Sequence, residues 1–309
     1  MIITIIDKYK SKGIYLVFVD FTAAFDSLDR ARLIEKLRQK GTLDDSCLNL
    51  LSAMLTGVNA SVKGAVLKWF NEGLGVKQGD PVGPRAFVTY IHDLPECVCP
   101  DNESDRKCAA FLINQLIRCL LWADDVVLFS TDLQHVQKQL DALDVYCSAN
   151  HLHVNIIKTK SMHVTTRQVE VSTSTSALVY RGVVISNVAK FKYVGVWIDE
   201  RGSCDVQAME LIKTATSSMY YCMSKARRIV FRCPSKLRVT LFKAHVSPLF
   251  TYACEVTPYS RKQIECMNKV VHKYARWCTG LPLRTCTQTV LREAGLRPVH
   301  YDFLSARLN

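Results

Sequence analysis

The feature that most constrains the fold is a pair of adjacent acids set between two apolar runs. The stretch from Cys119 to Phe129 is almost wholly apolar apart from Asp124 and Asp125. Apolar runs of this length are typical of buried strands, and a two-residue acidic tip between them predicts a tight hairpin. Carboxylates held stiffly on such a hairpin are costly to bury without a compensating charge, so the pair indicates a bound cation. The alternative is an ordinary solvated turn.

The positive charge of the chain is concentrated in its last third. The 309 residues carry a formal net charge of +12, and residues 1–200 contain 22 Lys and Arg against 22 Asp and Glu. Residues 201–300 contain 17 Lys and Arg against only 5 Asp and Glu, which accounts for the whole excess. A basic region beside a neutral one is typical of proteins that bind a polyanion, most commonly nucleic acid. An anionic membrane surface is the alternative partner.

Several protein classes are disfavoured by the same composition. No apolar run approaches the roughly 20 residues that a membrane-spanning helix needs, and the apolar start of the chain meets Asp7 and Lys8 too soon for a signal peptide. The 13 cysteines include no Cys-x-x-Cys pair and no zinc-binding pattern. An odd cysteine count without a secretory signal predicts reduced thiols. We therefore expect a globular intracellular protein that is not secreted.

The periodicity of apolar residues predicts an α+β region followed by a purely helical one. Predicted helices cover residues 29–40, 43–56, 87–94 and 133–146, and predicted strands cover residues 14–20, 162–164, 178–185 and 191–198. Residues 58–70 alternate like a hairpin, and residues 97–107 are predicted to be a surface loop. From Cys204 onward only helical spacing is present, including segments over residues 234–245 and 261–278. The division between the two regions is predicted near Gly202.

Three features in a fixed order carry a family resemblance: an acid ending a strand at Asp20, a turn over Gln78 to Pro81, and the tandem acids. The sequence resembles reverse transcriptases, most closely those of non-LTR (LINE-like) retrotransposons. Their five palm motifs are matched by Phe18 to Asp26, Gln78 to Pro81, Trp122 to Asp125, Leu152 to Lys160, and Phe191 to Gly195. The resemblance implies a polymerase palm, an antiparallel sheet backed by helices, over residues 1–200. It implies an all-helical, basic thumb-like region over residues 201–309.

The activity implied by the resemblance is that of an RNA-directed DNA polymerase, which adds deoxynucleotides to a primer 3′ end. Joining a nucleotide to a primer requires charge neutralisation at the attacking oxygen and at the departing pyrophosphate, which two metal ions supply together. Mg²⁺ prefers carboxylate oxygens, and Mn²⁺ is the alternative ion. The implied catalytic residues are Asp20, Asp124 and Asp125. The same three carboxylates and the backbone carbonyl of Phe21 are the implied metal ligands.

Further positions match residues that contact the nucleotide. Phe25 corresponds to the aromatic residue under the incoming sugar, where it excludes a 2′-hydroxyl. Gln78 and Gly79 are expected along the nucleotide and template, and Lys158 is expected to donate to the departing pyrophosphate. The alternative for Phe25 is an ordinary core residue, and the alternative for Lys158 is a solvated surface lysine. The alternative for Gln78 and Gly79 is a simple turn.

The last motif and the helical region are expected to bind the primer and template. Phe191, Tyr193 and Gly195 match the primer grip. A basic cluster fits phosphate contacts on the duplex, and its members are Arg227, Arg228, Arg232, Lys236 and Arg238. The alternative for this cluster is a merely solvated surface.

The resemblance implies an RNA template, a DNA primer or RNA/DNA duplex, and deoxynucleoside triphosphates as partners, with no membrane and with protein partners unknown. It also implies access to the nucleus. Because the first motif lies near Met1, we expect a truncated reading frame that lacks most of the fingers. Because the sequence stops soon after Pro298, we also expect no endonuclease. Trp122 stands where the family usually has Tyr or Phe. Two other functions stay open: a catalytically weak or inactive nucleic-acid-binding remnant, and a group II intron maturase-like protein.

Overall fold

The computed structural model describes residues 1–41, 43–56, 59–62, 68–71, 74–76, 79, 82–100, 103–166, 177–229 and 234–308. The chain divides into two compact units, Met1–Ala189 and Lys190–Asn309. The first contains helices and a central sheet, whereas the second is helical apart from one hairpin. The division lies before this hairpin, whereas the sequence-based prediction placed it near Gly202, after the hairpin. Within the described residues, no helix is long and apolar enough to cross a membrane.

Helices of the first unit cover most of the predicted segments 29–40, 43–56 and 133–146. The predicted segment 87–94 contains only the end of one helix and the first residue of the next, and the helix over residues 2–9 was not predicted. The described helices of this unit are α1 (Ile2–Tyr9), α2 (Arg30–Lys40), α3 (Asp45–Leu55), α4 (Val82–Tyr90), α5 (Leu94–Val98), α6 (Glu103–Cys108) and α7 (Leu133–Ala149). Three of these helices, α2, α3 and α7, have an aspartate as their N-cap, whose carboxylate accepts a backbone N–H of the first turn. These residues are Asp29, Asp44 and Asp132 respectively. The predicted loop over residues 97–107 was wrong in part, since it contains the end of α5 and most of α6.

In the described part of the first unit, the strands form one five-stranded sheet and three separate hairpins. They are β1 (Ile14–Val19), β2 (Asn59–Val62), β3 (Lys68–Asn71), β4 (Ala110–Leu112), β5 (Gln115–Ile117), β6 (Leu120–Trp122), β7 (Asp125–Ser130), β8 (Lys160–Val164), β9 (Val179–Tyr180), β10 (Val183–Val184) and β11 (Ser186–Asn187). The sheet order is β11-β8-β1-β7-β6, and every pairing is antiparallel except that of β11 with β8. The expected antiparallel sheet backed by helices is therefore confirmed.

The central strand of the sheet is the apolar run that the sequence placed before Asp20. Leu16, Val17 and Phe18 of β1 are buried, as are Val127 and Leu128 of β7. Strands buried on both faces are continuous apolar runs rather than alternating ones, which is why these two segments were identifiable from the sequence. The core beneath them includes residues of α2, α4 and α7.

The second unit contains a hairpin and six helices within its described residues. They are β12 (Lys190–Tyr193), β13 (Val196–Asp199), α8 (Asp205–Ile229), α9 (Ser235–His245), α10 (Ser247–Thr251), α11 (Arg261–Thr279), α12 (Thr287–Ala294) and α13 (Val299–Leu308). The helical segments predicted from Cys204 onward are confirmed by α8, α9 and α11. A separate core holds this unit together and includes Met219, Phe242, Phe250 and Tyr274.

Candidate active site

Asp20 is the first residue after β1, and backbone contacts on its β8 side fix its position. Its N–H donates to Oγ1 of Thr159 at 3.3 Å, and its carbonyl oxygen accepts the N–H of Asn155 at 2.7 Å. The following residue, Phe21, forms a β-bridge with Val154 and has a buried side chain. The motif from Leu152 to Lys160 therefore lies directly beside the end of β1.

The acidic hairpin lies on the opposite side of β1. Trp122 pairs with Asp125, so the two loop residues are Ala123 and Asp124, and Asp125 is the first residue of β7. The predicted Asp-Asp tip is therefore displaced by one residue. Ala123 has a φ of +54°, a positive value of the kind that two-residue hairpin loops require.

The register of β1 and β7 brings acids from distant parts of the chain together. Val19 pairs with Val126, so the next step of the antiparallel register places Asp20 across from Asp125. Directly opposite residues of such strands have their Cα atoms about 4.5–5.5 Å apart. Burial raises the pKa of Asp125, and the charges of Asp124 and Asp20 raise it further. The three carboxylates thus influence one another at one edge of the sheet.

These carboxylates have the chemistry of a divalent-cation site, although they do not form a finished one. Oδ2 of Asp20 is buried and has no hydrogen-bond partner, and an oxygen in that state favours a cation. Hard carboxylate oxygens are the ligands that Mg²⁺ prefers. Within the described ranges, no three His, Cys, Asp or Glu side chains converge as a metal-binding cluster. The residue types and the buried Oδ2 of Asp20 fit such an ion, whereas the described side chains do not converge on one position.

Lys158 provides a positive charge at the same edge. Its Nζ lies 3.7 Å from Oδ2 of Asp20, and its side chain is 69% exposed. The turn that holds it is fixed by Asn155, whose side-chain oxygen accepts the N–H of Lys158 and whose carbonyl oxygen accepts that of Thr159. An exposed ammonium beside a half-buried carboxylate is available to a second anion.

The Phe25 side chain lies next to the segment that leads toward the Gln-Gly turn. The half-buried ring of Phe25 lies 5.2 Å from that of Phe87 on α4. The backbone carbonyl oxygen of Phe25 accepts the N–H of Val76 at 2.9 Å. At Gly75 a Cβ atom would lie 2.7 Å from the carbonyl oxygen of Asp26, so this close approach requires glycine. The turn itself is described only at Gly79, which is exposed with a φ of +85°.

Some predicted site residues fall outside the described part of the chain. Gln78 and Arg232 lie there, and Arg228 belongs to α8 without a described side chain. Arg227 and Lys236 are exposed. Arg238 is half-buried, stacks on Trp277 at 4.8 Å and donates to its carbonyl oxygen at 3.1 Å. Part of the Arg238 guanidinium therefore binds Trp277 within the second unit.

The primer-grip candidates form the hairpin of β12 and β13. Phe191 and Tyr193 are half-buried residues of β12, and Gly195 is an exposed residue of the two-residue loop. This hairpin packs against α8 of the same unit, because the N–H of Trp197 donates to Oε1 of Gln207 at 2.9 Å.

Sequence reasoning missed Arg30, which begins α2 and is only 7% exposed. Its Nε donates to the carbonyl oxygen of Gly75 at 2.6 Å, and its Nη1 donates to that of Leu55 at 2.8 Å. It therefore connects the end of α3 to the segment beside Phe25. No sequence signal distinguishes it from the solvated arginines that are usual at helix surfaces.

A largely antiparallel sheet whose central strand ends at one acid, with two more acids on the neighbouring hairpin, is the arrangement of the palm fold of nucleic-acid polymerases. The family model for reverse transcriptase (RNA-dependent DNA polymerase) matches residues 3–198. The chain belongs to the reverse transcriptase family.

The chain is also similar to proteins of non-LTR elements. It is 23% identical over 296 residues to the probable RNA-directed DNA polymerase from transposon X-element of Drosophila melanogaster, covering 92% of this chain and 30% of that protein. It is 21% identical over 301 residues to the retrovirus-related Pol polyprotein from type-1 retrotransposable element R2 of Popillia japonica, covering 94% and 40% respectively. The chain thus spans less than half the length of these relatives. Among solved structures, it matches apo telomerase from Candida tropicalis with a TM-score of 0.48 and 11% identity over 95% of this chain and 55% of that one.

Proposed function

We propose that this chain is the palm and thumb portion of the reverse transcriptase of a non-LTR retrotransposon. It would catalyse RNA-directed addition of deoxynucleotides to a primer 3′ end. The observation that carries the proposal is the β1–β7 register, which brings Asp20 opposite Asp125 and beside the Asp124 loop. The family match and the X-element and R2 relatives support the same function. The proposed palm covers residues 1–200 and therefore includes the β12–β13 hairpin of the second unit, and the proposed thumb covers residues 201–309.

The proposed cofactor is a pair of Mg²⁺ ions, with Mn²⁺ as the alternative. Their proposed ligands are Asp20, Asp124, Asp125 and the backbone carbonyl of Phe21. When bound, such ions neutralise charge at the attacking 3′ oxygen and at the departing pyrophosphate. The buried Oδ2 of Asp20, which lacks a hydrogen-bond partner, supports this assignment. The raised pKa of Asp125, caused by burial and then by Asp124 and Asp20, also supports it, because a nearby cation would relieve that repulsion.

The remaining site residues have proposed roles in binding and orientation. Lys158 donates a hydrogen bond or a proton to the departing pyrophosphate, and its exposed Nζ beside Asp20 supports that role. The Phe25 ring excludes a 2′-hydroxyl and so selects deoxynucleotides. Gln78 and Gly79 contact the nucleotide and the template. The exposed indole of Trp122 packs beneath the primer end.

The second unit is proposed to hold the primer and template. Phe191, Tyr193 and Gly195 contact the primer strand. The phosphates of an RNA template, a DNA primer or their duplex are contacted by Arg227, Arg228, Arg232, Lys236 and Arg238. The excess of basic residues over residues 201–300 supports this role, because phosphate binding depends on such charge. Such a function requires access to nuclear DNA.

The proposal is tested by primer extension on an RNA template with Mg²⁺ and deoxynucleoside triphosphates. We expect the chain to extend the primer and Asp124→Asn to lose extension while binding the primer–template with unchanged affinity. A chain that binds the duplex in a salt-sensitive manner without extending it would favour a catalytically inactive binding remnant instead.

A further inference from the structure

The loop of the β12–β13 hairpin contains a backbone conformation that its sequence does not favour. Tyr193 pairs with Val196, which leaves Val194 and Gly195 as a two-residue loop. Their φ angles are +44° and +80°, and positive values at both positions define a type I′ turn. Glycine adopts this conformation readily, whereas a β-branched residue such as valine is an outlier there. Val194 is therefore strained, and a contact from outside the turn stabilises this conformation.

That support comes from Tyr252. Its hydroxyl donates a hydrogen bond to the carbonyl oxygen of Val194 at 2.6 Å. Its ring lies so close to Gly195 that an added Cβ atom would be 3.0 Å from Cε1. A single side chain therefore contacts both loop residues, and it satisfies a carbonyl that the strand ladder leaves unpaired.

Tyr252 is itself held firmly by its neighbours in the chain. It follows α10, and its N–H donates to the carbonyl oxygen of Pro248 at 3.1 Å. Phe250 and Cys254, on either side of it, are buried in the core of the second unit. Ala253 has a φ of +56°, so the chain turns sharply directly after the tyrosine. Tyr252 itself is 50% exposed, so its hydroxyl reaches Val194 from a segment that is buried on either side.

The end of the hairpin that joins α8 is held by both of its strands. The backbone N–H of Trp197 in β13 donates to Oε1 of Gln207 in α8, and Asp199 accepts hydrogen bonds from Arg201 and Ser203, which lead into α8. Lys190 of β12 forms an ion pair with Glu210 of α8 at 3.9 Å. The loop lies at the opposite end of the hairpin from Asp199. Contact with Tyr252 therefore fixes the end of the hairpin that is farthest from its junction with α8.

We infer that Tyr252 is a positioning residue, which holds the strained Val194–Gly195 loop so that the hairpin presents one conformation to the primer. This inference rests on the proposed function of the hairpin as a primer grip. A hairpin with a loosened loop would still fold, but it would bind the primer end less well. Nucleotide binding in the first unit would be unaffected.

The test compares Tyr252→Phe with a rescue variant that carries Val194→Asn as well. Asn-Gly is the preferred type I′ sequence, so a turn that contains it does not need the tyrosine hydroxyl. We expect Tyr252→Phe to raise amide hydrogen exchange over residues 191–197 and to raise the KM for primer–template, each about three- to tenfold. The KM for deoxynucleotides should stay unchanged. The added Val194→Asn should restore both quantities.

Two matched controls separate this role from general destabilisation. Tyr301→Phe removes the hydroxyl of another exposed tyrosine of the second unit. Ile113→Asn relieves a β-branched residue with a φ of +48° in the loop of the β4–β5 hairpin. Neither control should change the KM for primer–template.

Hydrogen exchange needs no catalysis, so it tests the Tyr252 contact even in a chain that does not extend primers. A failure to extend primers would count against the proposed function alone. Unchanged exchange in Tyr252→Phe would overturn the inference. Raised exchange with an unchanged KM for primer–template would overturn it as well.

Discussion

The ammonium of Lys158 lies 3.7 Å from Oδ2 of Asp20, although 138 positions separate the two residues in the chain. The turn over residues 155–159 brings them together, because Asn155 binds both the carbonyl oxygen of Asp20 and the backbone of Lys158. The segment from Leu152 to Lys160 is thus hydrogen-bonded directly to the end of the segment that contains Asp20. This contact places Lys158, the proposed proton donor, beside a proposed ligand of the metal ion.

We expect Lys158→Gln to lower the rate of nucleotide addition by roughly 10²-fold, as the loss of a general acid does. Its side chain is mostly exposed, so the melting temperature should stay within about 2 °C of the wild-type value. Single-turnover extension and a thermal melt check the two expectations. Lys138→Gln, at an exposed lysine of α7, is the matched control and should extend normally. An unchanged rate in Lys158→Gln would exclude the proton-donor role.

Phe25→Ala should weaken discrimination against ribonucleotides. Removing the ring opens space beside Phe87, so we expect the ratio of kcat/KM for deoxynucleotides to that for ribonucleotides to fall about tenfold or more. Competing incorporation of the two nucleotide types measures this ratio. Phe111→Ala truncates another partly buried phenylalanine against the same core and should lower stability without changing the ratio. A constant ratio in Phe25→Ala would mean that the ring is only a core residue.

Arg30→Met should destabilise the first unit by about 2–5 kcal/mol. The arginine is buried, and its loss leaves the carbonyl oxygens of Gly75 and Leu55 without these donors. Urea unfolding measures the change. Arg38→Met, at an exposed position of the same helix, should change stability by less than about 0.5 kcal/mol. Equal effects of the two substitutions would contradict the role assigned to the Arg30 contacts.

The stability of the first unit should depend on pH through Asp93. Burial raises the pKa of Asp93, but hydrogen bonds from Lys36 and Tyr146 and the charge of Lys36 outweigh burial, so the net pKa is lowered. Burial instead dominates for Lys36 and lowers its pKa, because its side chain is 9% exposed whereas that of Asp93 is 37% exposed. We therefore attribute the acid dependence to Asp93 and not to Lys36.

A carboxyl whose pKa is lower in the folded state stabilises the fold above its unfolded pKa of about 3.8. This stabilisation is lost as the pH falls below that value and through the lowered folded pKa. We expect Asp93→Asn to flatten this part of the stability profile, measured by urea unfolding between about pH 2.5 and 6. Asp141→Asn, at an exposed position of α7, should leave the profile unchanged. An identical acid dependence in wild type and Asp93→Asn would refute the assignment.

The parts of the fold that the sequence predicted correctly are those where burial leaves a continuous apolar run or a regular stripe. β1, β7 and α7 are of this kind. The predicted strands over residues 178–185 and 191–198 are instead hairpins, because Arg181-Gly182 and Val194-Gly195 have positive φ angles. Because apolar residues lie on both sides of each turn, the apolar pattern did not reveal that the chain reverses direction there.

The sequence identified candidate site residues by the type of side chain, as with the acids Asp20 and Asp125, whose catalytic role stays a prediction. The contacts that hold those residues could not be predicted. Arg30 and Tyr252 act through backbone carbonyls, and any residue supplies a carbonyl, so the partner has no sequence signature. The short helix α6 was missed because its polar composition shows no apolar stripe.

The central claim is that Asp20 and the acids of the β6–β7 hairpin form one catalytic site, and the rate of nucleotide addition by Asp20→Asn tests it most directly. We predict a loss on the order of 10²-fold or more in single-turnover extension, with unchanged primer–template affinity. The melting temperature should be equal or higher, because one of three like charges is removed. An Asp20→Asn variant that extends the primer at the wild-type rate would contradict the account.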